Sequence, residues 1–93
     1  NPDARPEHML QFAIMAAIYF DHVEGKPHPK IGLVNIGSEP SKGSDLYQET
    51  HKLVKKELPN DFIGNVEGRH LLDSPADILI CDGFVGNTIL KFA

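Results

Sequence analysis

Most residues with chemical potential are gathered in three short stretches. These are Asn35-Ile36-Gly37-Ser38-Glu39-Pro40-Ser41-Lys42-Gly43, Gly64-Asn65-Val66-Glu67-Gly68-Arg69 and Asp82-Gly83-Phe84-Val85-Gly86-Asn87. Six of the eight glycines fall in them, with every asparagine except Asn1 and Asn60. Glycine lets backbone amides approach a ligand closely, and an asparagine amide offers a donor and an acceptor that orient it. In the first stretch Gly37, four residues and then Lys42-Gly43-Ser44 look like a phosphate-binding loop with Lys and Gly transposed. The transposition argues against a nucleoside triphosphate, because the glycine before the lysine lets such a loop wrap the phosphates. What survives is a lysine and a glycine at a helix start, a good place for an anion. The competing reading is an ordinary strand-to-helix turn with Lys42 in water.

In the second stretch, alternation from an extended start would put Asn65, Glu67 and Arg69 on one side. A Glu–Arg pair could then hold the asparagine in position, or it could be a plain surface ion pair of small energetic value. The third stretch pairs Asp82 with Asn87 across Gly83 and Gly86. These residues recur at active sites, yet Asn87 or Thr88 could equally be helix caps. The first glycine of a dinucleotide fingerprint is missing, so NAD binding receives no support.

The remaining candidates carry less. Cys81 reads as a small buried packing residue. The five histidines, His8, His22, His28, His51 and His70, show no metal-ligand spacing and read as structural or solvated. Lys52, Lys55 and Lys56 form a basic edge on a helix, steadied by partners such as Glu49 or able to dock an acidic protein.

The elements that must position these stretches alternate in type. A helix is expected from about Pro6 to Val23, with Pro6 in its first turn. Met9, Phe12, Ala13, Ala16, Ala17 and Phe20 form its stripe, while Leu10, Ile14 and Ile18 lie off it. A loop at Glu24–Pro29 leads to a strand at Lys30–Ile36 without strict alternation, as suits burial on both faces. A second helix runs from Ser44 or Asp45 to about Glu57, with Leu46, Tyr47, Thr50, Leu53, Val54 and Leu58 on one stripe, and Pro59 stops it. A short strand at Asp61–Gly64, a loop through Arg69, a turn of helix at His70–Leu72 and a strand at Asp77–Asp82 follow. Thr88–Ala93 reads as the start of a last helix. Strands alternating with helices predict a layered α/β/α fold with a mostly parallel sheet. Such sheets bind ligands at the carboxyl ends of their strands, where the three stretches fall.

Composition narrows the classes further. The chain has 93 residues, nine Lys+Arg against thirteen Asp+Glu, and a net charge of −4. That is one small globular unit, neither disordered nor repetitive. The acidic balance argues against nucleic acid as a partner. One cysteine allows no internal disulfide, which suits a reducing cytoplasm. The apolar run Met9–Phe20 falls short of the roughly 20 residues that span a membrane, and Asn1–Pro6 does not read as a signal peptide. A first helix apolar nearly all round wants more cover than these few elements supply. The expectation is therefore an interior fragment, residues 1–93, of a larger α/β domain.

Four segments in this order carry a specific resemblance. They are Arg5-Pro6-Glu7-His8-Met9-Leu10-Gln11-Phe12-Ala13, Ile31–Glu39 with Lys42-Gly43, Phe62–Arg69 and Ala76–Asn87. Together they resemble the family of acyl-acyl carrier protein:phosphate acyltransferases, the fatty acyl-phosphate synthases, over nearly the whole chain. The resemblance implies a fold like that of isopropylmalate and isocitrate dehydrogenases, shared more distantly with phosphotransacetylases. It also implies a homodimeric bacterial enzyme of phospholipid synthesis, cytoplasmic and peripherally associated with the membrane. The family's early glycine-rich segment and later helical hairpin are not in this chain. His70 stands where the family usually has Asp, and Ser74-Pro75 is an atypical turn.

The implied reaction is attack of inorganic phosphate on the thioester of an acyl-acyl carrier protein, with no cofactor and no metal. Lys42 with Gly43 and Ser44 would bind phosphate. Asn87 and Asn65 would donate to the carbonyl or the phosphate. Asp82, Glu67 and Arg69 would fix that framework, with Asn35, Glu39, Gly83 and Gly86 lining it. The acidic carrier protein would meet the Lys52/Lys55/Lys56 edge. Rival readings are a phosphotransacetylase acting on acyl-CoA, a decarboxylating dehydrogenase of the same fold, and an inert piece of the parent enzyme.

Overall fold

The computed structural model describes residues 5–35, 45–70, 73–81 and 88–90. Helix α1 spans Pro6–Glu24. Arg5 before it is extended, as the residue preceding a proline must be, and Pro6 opens the first turn, where its missing N–H loses nothing. Gly25 closes α1 in the left-handed region (φ 67°), its N–H donating to the Asp21 carbonyl at 2.8 Å. Strand β1 (Ile31–Asn35), helix α2 (Asp45–Glu57), strand β2 (Phe62–Glu67), a 3-10 turn (Gly68–His70), strand β3 (Ile78–Ile80) and strand β4 (Thr88–Leu90) follow.

The sheet order is β2-β1-β3-β4, with β1 parallel to both neighbours and β4 antiparallel to β3. The layered α/β arrangement and the mostly parallel sheet expected from the sequence are present. Both helices cover the same sheet face. Met9, Ala13 and Phe20 of α1 and Val54 of α2 pack there on Ile31, Leu33, Ile78 and Ile80, all buried. The other face carries Val66, Ala76 and Leu79, with Val34 against them. Gly32 permits that packing: a Cβ at this position would lie 2.7 Å from Val66 Cγ2 and 3.2 Å from Leu79 Cδ2. Those separations leave room for a hydrogen and nothing larger.

Asp77 ties the amino ends of β1 and β3 together. Its carboxylate accepts from the Lys30 N–H at 2.9 Å and from Lys26 Nζ at 3.0 Å, and its own N–H donates to the Lys30 carbonyl at 2.7 Å. Burial pushes its carboxyl pKa up, but the Lys30 N–H and the Lys26 ammonium outweigh that and hold it below the usual value.

Three expectations need correction. Thr88–Leu90 is a strand and not the start of a helix: Thr88, Ile89 and Leu90 pair with Ile80, Leu79 and Ile78. A short apolar run fits either element by pattern, and here a β-branched pair next to an open strand edge goes to the sheet. The second strand does not stop at Gly64 but continues to Glu67, because β1 offers it a parallel partner along its whole length. The helical turn falls at Gly68–His70 rather than at His70–Leu72.

On α1 the surplus apolar residues divide. Leu10 packs against the core, while Ile14, Met15, Ile18, Tyr19 and Val23 stay exposed, Met15 and Ile18 at 61% and 65%. No helix among the described residues is long and apolar enough to cross a membrane.

Candidate functional site

The carboxyl ends of β1 and β2 lie side by side, with Asn35 opposite Glu67 and Leu33 opposite Asn65. What brings Asn65 to the helix-covered face is an irregularity in β2. Ile31 pairs with Phe62 but Gly32 pairs with Gly64, so Ile63 is an extra residue in the ladder. Gly64 has φ 99°, a conformation that side chains resist. An inserted residue reverses the alternation beyond it. Phe62 and Asn65, three apart, therefore both face α2, while Val66 joins the cluster on the opposite face. In a regular strand Phe62 and Asn65 would point to opposite sides.

Glu67 ends the strand two residues beyond Asn65, on its side of the sheet. Arg69 Nε donates to Glu67 Oε2 at 2.8 Å. The Glu–Arg pair read from the sequence is thus formed, though by a different route. Alternation accounts for Asn65 and Glu67, whereas Arg69 returns from the 3-10 turn after the strand has ended. Arg69 is 77% exposed and Glu67 27%, so the carboxylate is the better-fixed partner.

Other sequence candidates divide by position. Asn35 takes the register position opposite Glu67. Glu39, Lys42, Gly43, Ser44, Asp82, Gly83, Gly86 and Asn87 lie outside the described residues. Cys81 follows β3 directly and is half-buried. Lys52 meets Glu49 one turn earlier at 3.4 Å, the exposed pairing expected of that helix edge. Among the described residues, no three His, Cys, Asp or Glu side chains gather closely enough to hold a metal ion.

Two residues that the sequence reading gave other places, His51 as structural or solvated and Lys55 on a docking edge, line one cavity with Asn65. Between α2 and β2 lies a cavity of about 280 Å³, walled by His51, Lys55, Phe62, Ile63 and Asn65. His51 is 7% exposed and sets its ring edge-on to Phe62, with centroids 5.0 Å apart. Burial, and then the Lys55 ammonium, lower its pKa below the ordinary value, which keeps the imidazole neutral near pH 7. The helical pattern held a signal for both residues. His51 follows Tyr47 by four and precedes Val54 by three, on the inner edge of the stripe, and Lys55 follows His51 by one turn.

Residues 1–93 match the profile of a family described as "Fatty acid synthesis protein". The phosphate acyltransferase of Desulfitobacterium hafniense (strain DSM 10664 / DCB-2) is 52% identical over 92 residues, covering 98% of this chain and 27% of that protein. That of Clostridium perfringens (strain SM101 / Type A) is 52% identical over 91 residues, 98% of this chain and 27% of its own length. That of Crocosphaera subtropica (strain ATCC 51142 / BH68) is 50% identical over 93 residues, 100% of this chain and 27% of its own. The chain thus spans about a quarter of the length of the curated relatives it matches.

Proposed function

The chain belongs to the fatty acid synthesis protein family, and from that membership we propose that it is an interior part of a phosphate acyltransferase. The observation that carries this reading is the match, along the whole chain, to relatives named phosphate acyltransferase. The position of Asn65 and Glu67 at a parallel strand's carboxyl end agrees with it, since α/β sheets bind ligands there.

The substrate in this proposal is an acyl thioester of acyl carrier protein, with inorganic phosphate as the acceptor. A phosphate oxygen attacks the thioester carbonyl carbon, a C–O bond forms, and the C–S bond breaks. Acyl phosphate leaves with the carrier thiol, which takes the proton of the attacking monohydrogen phosphate. Phosphate is itself an anionic nucleophile, so no acyl-enzyme is needed. The protein has two tasks, to aim the phosphate and to stabilise the oxyanion that forms on the carbonyl. Lys42 with the Gly43 and Ser44 amides takes the first. Asn65 and Asn87 take the second as amide donors. Asp82, Glu67 and Arg69 fix the donors, and Asn35, Glu39, Gly83 and Gly86 line the site. Acyl carrier protein docks on the lysine edge of α2, and the full protein works as a homodimer associated peripherally with the membrane.

The test is turnover of acyl-carrier thioester with phosphate by the intact protein that contains this chain. Lys42→Ala and Asn87→Ala should each lower kcat/KM by about 100-fold or more, the scale of losing a donor to a developing oxyanion. Full rate in both variants removes the site assignment. Equal use of acyl-CoA in place of the carrier thioester would replace the carrier proposal with a phosphotransacetylase-type reaction.

A further inference from the structure

We propose that Ile63 and Gly64 are positioning residues of the acyl-transfer site. The residue inserted at Ile63, together with the positive φ of Gly64, turns Asn65 and Glu67 to the helix-covered face of the sheet. This role rests on the acyl-transfer reading of Asn65 and adds to it what aims the side chain.

The extra residue interrupts the β1–β2 ladder between Ile31 and Gly32, and the glycine beside it loses more chain entropy on folding than any other residue type. Core packing does not account for the interruption. Ile63 is 39% exposed, so its own burial returns little. Among the described residues, a Cβ on Gly64 would come within 4 Å of His51 Nε2 alone, at 3.8 Å. Nothing crowds that position. What calls for glycine there is φ 99°.

The irregularity does decide which way the carboxyl end of β2 faces. Phe62 pairs with Ile31 and packs against the core beneath the helices. Continued without an extra residue, the strand would send Gly64 and Val66 to that same side. Asn65 and Glu67 would then face the other side, where Ala76 and Leu79 cluster. An amide and a carboxylate would enter an apolar layer, and valine would stand where the reaction needs a donor. With Ile63 inserted, Asn65 pairs with Leu33 and Val66 with Val34. Each side chain reaches the face its chemistry suits. Re-aiming a side chain beside an active site is a recurrent use of such bulges.

The experiment measures acyl-phosphate formation by the intact protein that contains this chain, with kcat and KM resolved and rates expressed per folded molecule. Gly64→Ala should lower kcat by about tenfold to 100-fold, the scale of misplacement by an ångström. KM for the thioester should move by less than about twofold, since the loss falls on the reacting geometry. Deleting Ile63 from the Gly64→Ala protein should bring kcat back to within about threefold. A strand without the extra residue needs no positive φ and still sets Asn65 opposite Leu33. Gly32→Ala is the control: it destabilises by crowding Val66 and Leu79 and should leave kcat per folded molecule unchanged. The nuclear Overhauser contact between the Val66 and Leu79 methyls reports the register itself, and should weaken in Gly64→Ala and return on deletion of Ile63. The positioning role is overturned by unchanged kcat in Gly64→Ala, by equal kcat losses in Gly32→Ala and Gly64→Ala, or by no recovery on deleting Ile63. Asn65→Ala separates this role from the reading beneath it. Slow turnover in Asn65→Ala with unchanged kcat in Gly64→Ala overturns the positioning role alone. Full rate in Asn65→Ala removes the Asn65 assignment and the positioning role together.

Discussion

Asp77 and His51 are both buried side chains whose folded-state pKa is lowered, and they make different acid responses. Asp77 sits below its ordinary value of 3.8, so its stabilisation is complete above that pH and fades as pH falls through the lower folded value. His51 sits below 6.5. The unfolded chain there takes a proton that the folded one resists, so stability starts to fall as pH drops below that point. Urea-denaturation midpoints measured from pH 7.5 downward should fall in two stages. His51→Phe should remove the upper stage, and Asp77→Asn the lower one. Asp77→Ala should also destabilise at neutral pH by about 2 kcal/mol, because the Lys30 N–H loses a charged acceptor. A midpoint unchanged by Asp77→Ala would show that the clamp between β1 and β3 is ornamental. Arg69 belongs to the opposite class. At 77% exposure its bond to Glu67 contributes under about 1 kcal/mol, so Arg69→Ala should leave the midpoint nearly unmoved. A large fall in turnover with that variant would identify Arg69 as a positioning residue of the reaction.

At the scale of elements, two glycines in neighbouring strands matter for different physical reasons, and substitution separates them. Gly32 has ordinary backbone angles but no space, whereas Gly64 has space but φ 99°. Gly32→Ala should cost about 1–3 kcal/mol by overpacking against Val66 and Leu79. Gly64→Ala should cost about 1–2 kcal/mol through backbone strain and should disturb the β2 register. That disturbance reads out as faster amide exchange at Asn65 and Val66. Gly68→Ala, with nothing within 4 Å of the added carbon, is the neutral control. Equal midpoints for all three would contradict both arguments. The same strand explains what the sequence disclosed and what it hid. Helices α1 and α2 were legible because a stripe every three to four residues, Pro6 and Pro59 mark their span. The middle of β2 was not legible, because Gly64 and Asn65 have loop composition. Only the partner strand β1 holds Asn65–Glu67 extended. Its inserted residue cannot be seen without the pairing, and so neither could the placement of Asn65 and His51 on one cavity. Thr88–Leu90 was misread for a related reason: three residues carry no period, and the open edge of β3 decided their fate.

At the scale of the whole molecule, α1 turns Ile14, Met15, Ile18, Tyr19 and Val23 outward on the side away from the core. Contiguous exposed apolar surface of this kind marks a place where other protein belongs, and relatives nearly four times as long have protein to supply it. The net charge of −4 consequently describes this chain and not the surface that a carrier protein or membrane would meet. The reaction proposed here makes a stricter demand. Phosphate and a thioester carbonyl must be held together, out of water and in attack geometry, and misplacement by an ångström costs about 100-fold in rate. The described residues at the site come from β1, β2 and α2, and the chain spans about a quarter of the length of its relatives. The 93-residue chain on its own should therefore fold with the β2-β1-β3 pairing yet form no acyl phosphate from acyl-carrier thioester and phosphate. Adding back the remainder of the longer protein should restore turnover. Amide-exchange protection at Leu33 and Val66 reports the first half, and phosphate-dependent thiol release the second. Thiol release by the isolated chain, abolished by Lys42→Ala, would place the complete catalytic apparatus within these 93 residues.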